Sequence, residues 1–340
     1  MKNIYLILYA CSIFFIISCE SLVIKPEESN LNLEDLEAIW NRVNDVYPFL
    51  EFKKINWDSL HTVYRTRAEM AQGDEFLTVL NDLLAELKDG HIYYKIKGGS
   101  EIYPYYPQRH FKDRHAYSPF VVRNYFDKEL RLTKSSSAEY EILPQNIGYI
   151  FLSDFHEDHL TNEFPEIMKY LENTKGLIID IRQKRGGGYR NAIAVVRQFL
   201  SSPLEAPAFY LLGEIIEQLP FEPMGTPAYA NPVVVLINGS TFSAGELTTE
   251  MLKQLPNVTA VGDTTGGGGV GSSGSPPEAI GEIELPSGRL VYIGTGYIER
   301  YDGQSFEWLG IEPDIRVVQT EADIKNGIDK QLEFAIGFLK

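Results

Sequence analysis

The run PVVVLINGSTFSAGE at 232–246 places an apolar strand, a tight turn and a helix start directly after one another. Residues 233–237 are all aliphatic, which is the pattern of a strand buried on both faces. Residues 238–241 form the turn, and a helical pattern follows from Ala244 to Leu255. A strand that is covered on both faces needs helices on each side, so this run favours an α/β fold.

The alternation of strand and helix continues through the second half of the chain. We expect strands at 146–152, 176–181, 233–237, 258–261, 280–285 and 289–295, and helices at 159–171, 189–200, 244–255 and from 321 onward. This order predicts a parallel sheet with helices on its faces. Functional groups then belong on the loops at the carboxyl ends of the strands.

Ser243 lies on such a loop, at the point where the helix begins. The first N–H groups of a helix have no partner within it and lie in a positive field, which suits the presentation of a nucleophile. However, Ser243 and Glu246 also spell S-x-x-E, the signature of a capping box. This segment alone leaves both interpretations open.

A second loop of this kind contains three consecutive glycines in IIDIRQKRGGGYR. Gly186, Gly187 and Gly188 follow a predicted strand and precede a predicted helix, so their backbone can approach a ligand closely. Next to an activated serine, these N–H groups would form an oxyanion hole. The alternative is a flexible turn without a catalytic role.

The first half of the chain is helical in pattern. Apolar residues recur at helical spacing between 33 and 87, with expected helix starts at Asn32 and Asp58 and a break at Gly73. These three helices form a bundle, which we expect to pack as a cap on the main domain. His91 follows in the turn sequence KDGH, and a lone histidine there is more often structural than catalytic.

The first residues resemble a bacterial lipoprotein signal. A basic start, an apolar stretch at 4–17 and the sequence ISC predict cleavage before Cys19 and lipidation of that residue. The stretch is short for a membrane-spanning helix, although an uncleaved anchor is a minor alternative. Acyl chains on Cys19 would attach the protein to a bacterial membrane in the cell envelope, on the outer-membrane or periplasmic side.

Charge and cysteine content exclude several classes of function. The net charge is −16 and no long basic run occurs, so nucleic acid is not an expected partner. The only cysteines are Cys11 and Cys19, so a mature protein that begins at Cys19 has no cysteine pair for a disulfide and no thiolate metal site.

Six motifs occur in sequence along the chain, namely DGH at 89–91, NIGYIFLSDF at 146–155, IIDIRQKRGGG at 178–188, INGSTFSAGE at 237–246, VGDTTGG at 261–267 and DGQSFEWLGIEPDI at 302–315. Their order is the one seen in the S41 serine peptidases, and together they resemble the branch of tricorn core proteases and interphotoreceptor retinoid-binding protein modules. The resemblance covers about residues 33–320. It implies a crotonase-like (ClpP/crotonase) α/β core with an N-terminal helical bundle, and peptide-bond hydrolysis without metal or cofactor.

The resemblance also implies roles for individual residues. Ser243 is the nucleophile, and the N–H groups of Ala244 and of Gly186 or Gly187 hold the oxyanion. His91 is the base, and Glu307 orients or polarises it, with nearby Glu299 as the alternative.

Three positions depart from the family patterns. Gly268 stands where carboxy-terminal processing peptidases carry a lysine base, so a lysine dyad is not expected. Gly90 replaces the serine that precedes the base in tricorn-like enzymes, and Lys184 replaces a frequent asparagine. If His91 is not the base, Lys184 and Lys253 are the remaining candidates. The segment between His91 and Asn146 is also too short and atypical for a PDZ module.

These inferences divide the chain into a signal peptide (1–18), a tether (19–31), an N-terminal helical domain (32–92), a β-rich connecting segment (93–145) and a peptidase domain (146–340). The expected function is that of a lipid-anchored serine endopeptidase acting on unfolded or short peptides. The alternative is a non-catalytic protein that binds peptides or apolar ligands on the same fold.

Overall fold

The computed structural model describes residues 28–153, 155, 158–183, 186–224, 228–272 and 276–340. The predicted signal peptide, Cys19 and Lys184 lie outside the described residues. Among the helices that are described, none combines the length and the apolarity that crossing a bilayer requires.

Three helices open the described chain, as the apolar spacing predicts. They are α1 (Glu28–Val46), α2 (Trp57–Met70) and α3 (Glu75–Ala85). α1 begins inside the predicted tether, and Asn56 caps α2 by accepting the N–H of Ser59. The apolar face of these helices shares one core with residues from strands near 270–293, so the helices pack as a cap on the rest of the molecule.

The segment at 93–145, which is predicted to be β-rich, contains two short helices as well as three strands. Its elements are β1 (Tyr93–Lys95), α4 (Gln108–Arg114), α5 (Pro119–Arg123), β2 (Arg131–Leu132) and β3 (Ala138–Leu143). β3 and β2 extend the main sheet as antiparallel strands, with β2 at the edge.

Strands and helices alternate in the next part of the chain, which contains most of the main sheet. The elements are β4 (Ile147–Leu152), α6 (His159–Leu171), β5 (Gly176–Asp180), α7 (Tyr189–Arg197), β6 (Phe209–Leu211), β7 (Glu214–Ile216), β8 (Val233–Ile237), α8 (Ala244–Leu252) and β9 (Val258–Gly262). The main sheet has the order β14-β9-β8-β5-β4-β3-β2, where β14 is Ile315–Arg316. Its strands from β14 to β4 are parallel, as expected. Because β5 and β8 are neighbours, the glycine run and the Ser243 turn leave the sheet side by side.

Two small antiparallel sheets complete the described fold. Their remaining strands are β10 (Val270–Gly271), β11 (Glu282–Glu284), β12 (Leu290–Tyr292) and β13 (Gly296–Ile298). The orders are β1-β12-β11 and β10-β13-β6-β7. The chain ends in two helices, α9 (Glu321–Lys325) and α10 (Lys330–Phe338), where the sequence predicts one.

Candidate active site

Ser243 occupies a strained turn between β8 and α8. Its backbone has φ 53° and ψ −119°, a conformation that a residue with a side chain rarely adopts. Such a conformation costs about 1–3 kcal/mol and is concentrated at functional sites. Ser243 is partly exposed at the carboxyl end of β8.

The turn that precedes Ser243 is fixed by polar side chains. Asn238 accepts the N–H of Ser240 at 3.0 Å, and the Thr241 hydroxyl donates to the Ile181 carbonyl at 3.0 Å. The buried carboxylate of Asp113 accepts the Gly239 N–H at 2.7 Å. These bonds hold the strained residue against the neighbouring strand.

Glu246 connects Ser243 to a buried glycine loop at 263–269. Its carboxylate accepts hydrogen bonds from the N–H groups of Ser243 (3.0 Å), Gly267 (2.9 Å) and Gly268 (2.8 Å) and from the Thr265 hydroxyl (2.5 Å). Burial raises the pKa of Glu246, although these donors oppose the rise. Ser243 and Glu246 thus adopt the capping-box arrangement that the sequence allows, and the same carboxylate accepts hydrogen bonds from the glycine loop.

The glycine run lies against Ser243. A Cβ built on Gly186, which has φ 105°, would lie 2.6 Å from Ser243 Cβ and 3.1 Å from Ser243 Oγ. Gly187, at φ 132°, instead faces the backbone of Phe155, where a Cβ would come within 2.5 Å of a carbonyl carbon. The structure therefore places Gly186 closer to the hydroxyl than Gly187. Ala244, the first residue of α8, has an N–H with no partner within the helix.

His91 lies beside this site but is not hydrogen-bonded to Ser243. Its side chain is only 15% exposed, and neither ring nitrogen has a hydrogen-bond partner among the described residues. The nearest charge is Asp89, with Oδ1 3.6 Å from His91 Nδ1 and also accepting the His91 backbone N–H at 2.8 Å. Buried polar groups without partners are rare and indicate a functional role or a missing ligand.

The ring of Phe242 separates His91 from the glycine loop. The two ring centroids lie 4.5 Å apart. Cβ atoms built on Gly90, Gly266 and Gly268 would approach Phe242 ring carbons to 2.9, 2.9 and 2.2 Å. Two of the departures from the family patterns, Gly90 and Gly268, therefore make room for Phe242, and a lysine at 268 would overlap the ring where it now lies.

Glu307 belongs to a buried charged cluster next to His91. Its Oε1 lies 2.6 Å from Lys53 Nζ, and its Oε2 accepts the Gly269 N–H at 3.0 Å. Burial and the negative charge of Asp89 raise the pKa of Glu307 to about 7, against the opposing effects of Lys53 and His91. Glu299, the alternative, is partly exposed and lies at an isolated bridge with Ser305.

Asp89 carries the second carboxylate of this cluster. It accepts a hydrogen bond from Tyr47 at 2.8 Å and lies 3.5 Å from Lys53 Nζ. Burial alone would raise its pKa, but Lys53 and His91 outweigh burial and hold the pKa of Asp89 well below its usual range. Asp89 therefore stays ionised beside His91.

The sequence patterns do not predict that Lys53 and the charged Asp89 belong to the site. DGH contains a usable signal, because an aspartate two residues before a histidine can accept the histidine backbone N–H. Lys53 offers none, because its neighbour Lys54 is also a lysine and is exposed. Of the alternative bases, Lys253 lies at the far end of α8 and pairs with Asp314 at 2.7 Å, which removes it from Ser243.

The arrangement is suited to acyl transfer. It provides a strained serine, backbone N–H groups near its hydroxyl, and an imidazole backed by carboxylates. Among the described residues, no cluster of His, Cys, Asp or Glu side chains has the arrangement of a metal site.

Two protein-family models match this chain. One is described as peptidase family S41 and matches residues 146–317, just over half of the chain. The other is the tricorn protease C1 domain, which matches residues 32–85. The second match covers the N-terminal helices, including α1 from residue 32 onward.

Several known proteins are similar to the chain. The carboxyl-terminal-processing protease of Synechocystis sp. is 29% identical over 203 residues, which cover 57% of this chain and 44% of that protein. The carboxy-terminal processing protease CtpB of Bacillus subtilis is 23% identical over 259 residues, which cover 75% and 50%. The chain thus spans about half the length of these relatives.

The fold is also found in a solved structure. A putative peptidase from Parabacteroides merdae superposes with a TM-score of 0.74 at 26% identity, covering 92% of this chain and 97% of that one. The predicted α/β core with an N-terminal helical region is confirmed by this match.

Proposed function

Because this chain belongs to peptidase family S41, we propose that it is a serine peptidase with Ser243 as its nucleophile. The observation that carries the proposal is the strained turn at Ser243, with the Gly186 backbone packed against the Ser243 hydroxyl. A glycine is required there, since any side chain would fill the space beside the hydroxyl.

The reaction follows from the chemistry of these groups. Ser243 Oγ attacks the peptide carbonyl while His91 accepts its proton, and the N–H groups of Ala244 and Gly186 stabilise the oxyanion. His91 then protonates the leaving amine, and water hydrolyses the acyl-enzyme by the same steps. His91 must come within about 2.6–3.2 Å of Ser243 for proton transfer, and such contacts often form only when substrate binds.

The proposed substrates are unfolded or short peptides. The relatives named above are processing proteases, which supports a peptide substrate. Lipidation at Cys19 and a location in the bacterial cell envelope are part of the proposal, supported by the sequence of residues 1–19.

Digestion of a denatured protein mixture, with products identified by mass spectrometry, tests the proposal. We expect cleavage by the protein lacking residues 1–19 and none by Ser243→Ala. The matched control is Ser240→Ala, in the same turn, because the buried Ser240 hydroxyl has no hydrogen-bond partner among the described residues and its loss should leave activity intact. Identical products from the wild type and a folded Ser243→Ala variant would refute the assignment and favour the non-catalytic binding protein.

A further inference from the structure

Lys53 is a fully buried cation at the centre of the charged cluster. It lies in the turn after α1, and its side chain has no exposed surface. Its Nζ contacts groups of three kinds, namely carboxylates, a phenol and carbonyls: Glu307 at 2.6 Å, Asp89 at 3.5 Å, Tyr47 at 2.7 Å, Leu87 O at 3.0 Å and Lys88 O at 3.2 Å. A buried lysine is rare unless it is paired in this way.

Apart from Tyr47, these partners lie on two loops that border the site. Leu87, Lys88 and Asp89 form the loop that leads into His91. Glu307 lies on the other loop, where it accepts the Gly269 N–H and where Trp308 donates to the Lys88 carbonyl at 3.1 Å. Lys53 therefore connects the loop that leads into His91 with the loop that carries Glu307.

The charges of the cluster depend on Lys53. With Lys53 in place, one cation is shared by two buried carboxylates. Without it, Asp89 and Glu307 would repel each other in a buried site, where one of two close carboxyl groups becomes protonated. The other titratable groups that face the cluster are His91 and the phenols of Tyr47, Tyr105 and Tyr292.

We propose that Lys53 is a positioning residue for the peptidase reaction, which fixes the loop of His91 and favours the ionised form of Glu307 beside it. The inference rests on the proposed function, since it assigns a role within that reaction. Lys53 touches no substrate and acts only through His91 and Glu307.

The pH profile of kcat/KM tests this role. In Lys53→Met we expect the acid limb of the profile to move up by about 1–3 pH units, the range by which a nearby opposite charge shifts a carboxyl pKa. At pH 7, kcat/KM then falls by about 10-fold or more and recovers as the pH rises. Lys53→Arg, which keeps the charge, should leave the limb in place. The matched control is Lys54→Met, because Lys54 is exposed and its change removes the same charge outside the cluster.

Unfolding by urea across pH 5–9 gives a readout that needs no activity. Burial raises the pKa of Glu307 from 4.5 to about 7, so stability is lost as pH rises through this interval. In Lys53→Met this loss of stability should continue to higher pH. The difference in the free energy of unfolding between the wild type and Lys53→Met should therefore increase from pH 6 to 9. This increase should be absent in Lys54→Met and in a Glu307→Gln background.

The outcomes separate the two proposals. An inactive wild type would defeat the proposed function itself. An active wild type whose acid limb is unmoved in Lys53→Met, or a stability deficit that is constant with pH, would overturn the role of Lys53 while leaving the peptidase assignment intact.

Discussion

Gly268 shows how one missing side chain shapes this site. Its ideal Cβ would lie 2.2 Å from the Phe242 ring, far inside contact distance. The ring in turn packs on His91. The glycine therefore sets the position of the group next to the proposed base.

We predict that Gly268→Ala destabilises the protein by about 1–3 kcal/mol, the usual cost of overpacking. We also expect kcat/KM to fall, because Phe242 must shift against His91. Gly271→Ala is the control, since a Cβ there meets nothing within 4 Å. Urea unfolding and peptide hydrolysis measure the two effects, and equal stability of the two variants would contradict the packing argument.

Individual site residues differ in how far the sequence predicts them. Ser243 and Gly186 can be found because each follows a strongly patterned strand, and neighbouring strands bring them together. Lys53 cannot, because its burial depends on contacts with Asp89 and Glu307, which are 36 and 254 residues away in the sequence. The contact between Phe242 and His91 cannot be predicted from the sequence either, because it depends on the tertiary fold.

At the scale of elements, a buried arginine anchors the loop that carries the glycine run. Arg182 follows β5, and its guanidinium lies 2.6 Å from Asp180 and 2.9 Å from Asp329, the residue that caps α10. Gln331 accepts a further hydrogen bond from Arg182 at 3.1 Å. The C-terminal helix thus fixes the strand end from which Gly186 extends.

We predict that Arg182→Met destabilises the protein by about 3–5 kcal/mol, because two buried carboxylates lose their cation. Arg190→Met, in the same segment, removes an exposed arginine that lies 3.4 Å from Asp158, and it should change stability far less, because water screens an exposed ion pair. Chemical denaturation of both variants checks this. A loss in Arg182→Met no larger than in Arg190→Met would show that the cluster does not stabilise the fold.

Elements with strong local patterns are predicted well. The predicted helix at 159–171 and strand at 233–237 match α6 and β8 residue for residue, because periodicity and apolarity are properties of the segment itself. β6, β7 and β14 are not predicted. They contain two or three residues each. β6 and β14 become strands by pairing with the distant strands β13 and β9, and β7 pairs only with β6.

For the whole molecule, the cluster around Lys53 makes stability depend on pH. The pKa of Glu307 is raised from 4.5 to about 7, so the folded state holds a proton that the unfolded state releases. We predict that the free energy of unfolding falls as pH rises from 4.5 to 7, by an amount on the order of 3 kcal/mol. Asp89 has the opposite effect, because its pKa is lowered in the folded protein. Its contribution to stability is lost as the pH falls below 3.8, its pKa in the unfolded chain.

Urea unfolding between pH 3 and 8 measures this dependence. Glu307→Gln should flatten the curve above pH 4.5 and leave the acid side unchanged. A wild-type curve that rises steadily to pH 8 would contradict the assignment of a raised pKa to Glu307.

The N-terminal helices and the small sheet share one apolar core, and Lys53 carries a charge from the turn after α1 into the site. A fragment that held the α/β core alone would therefore lose part of this apolar core and the counter-ion of Asp89 and Glu307. A helical part exchanged from another protein would have to supply a matching lysine.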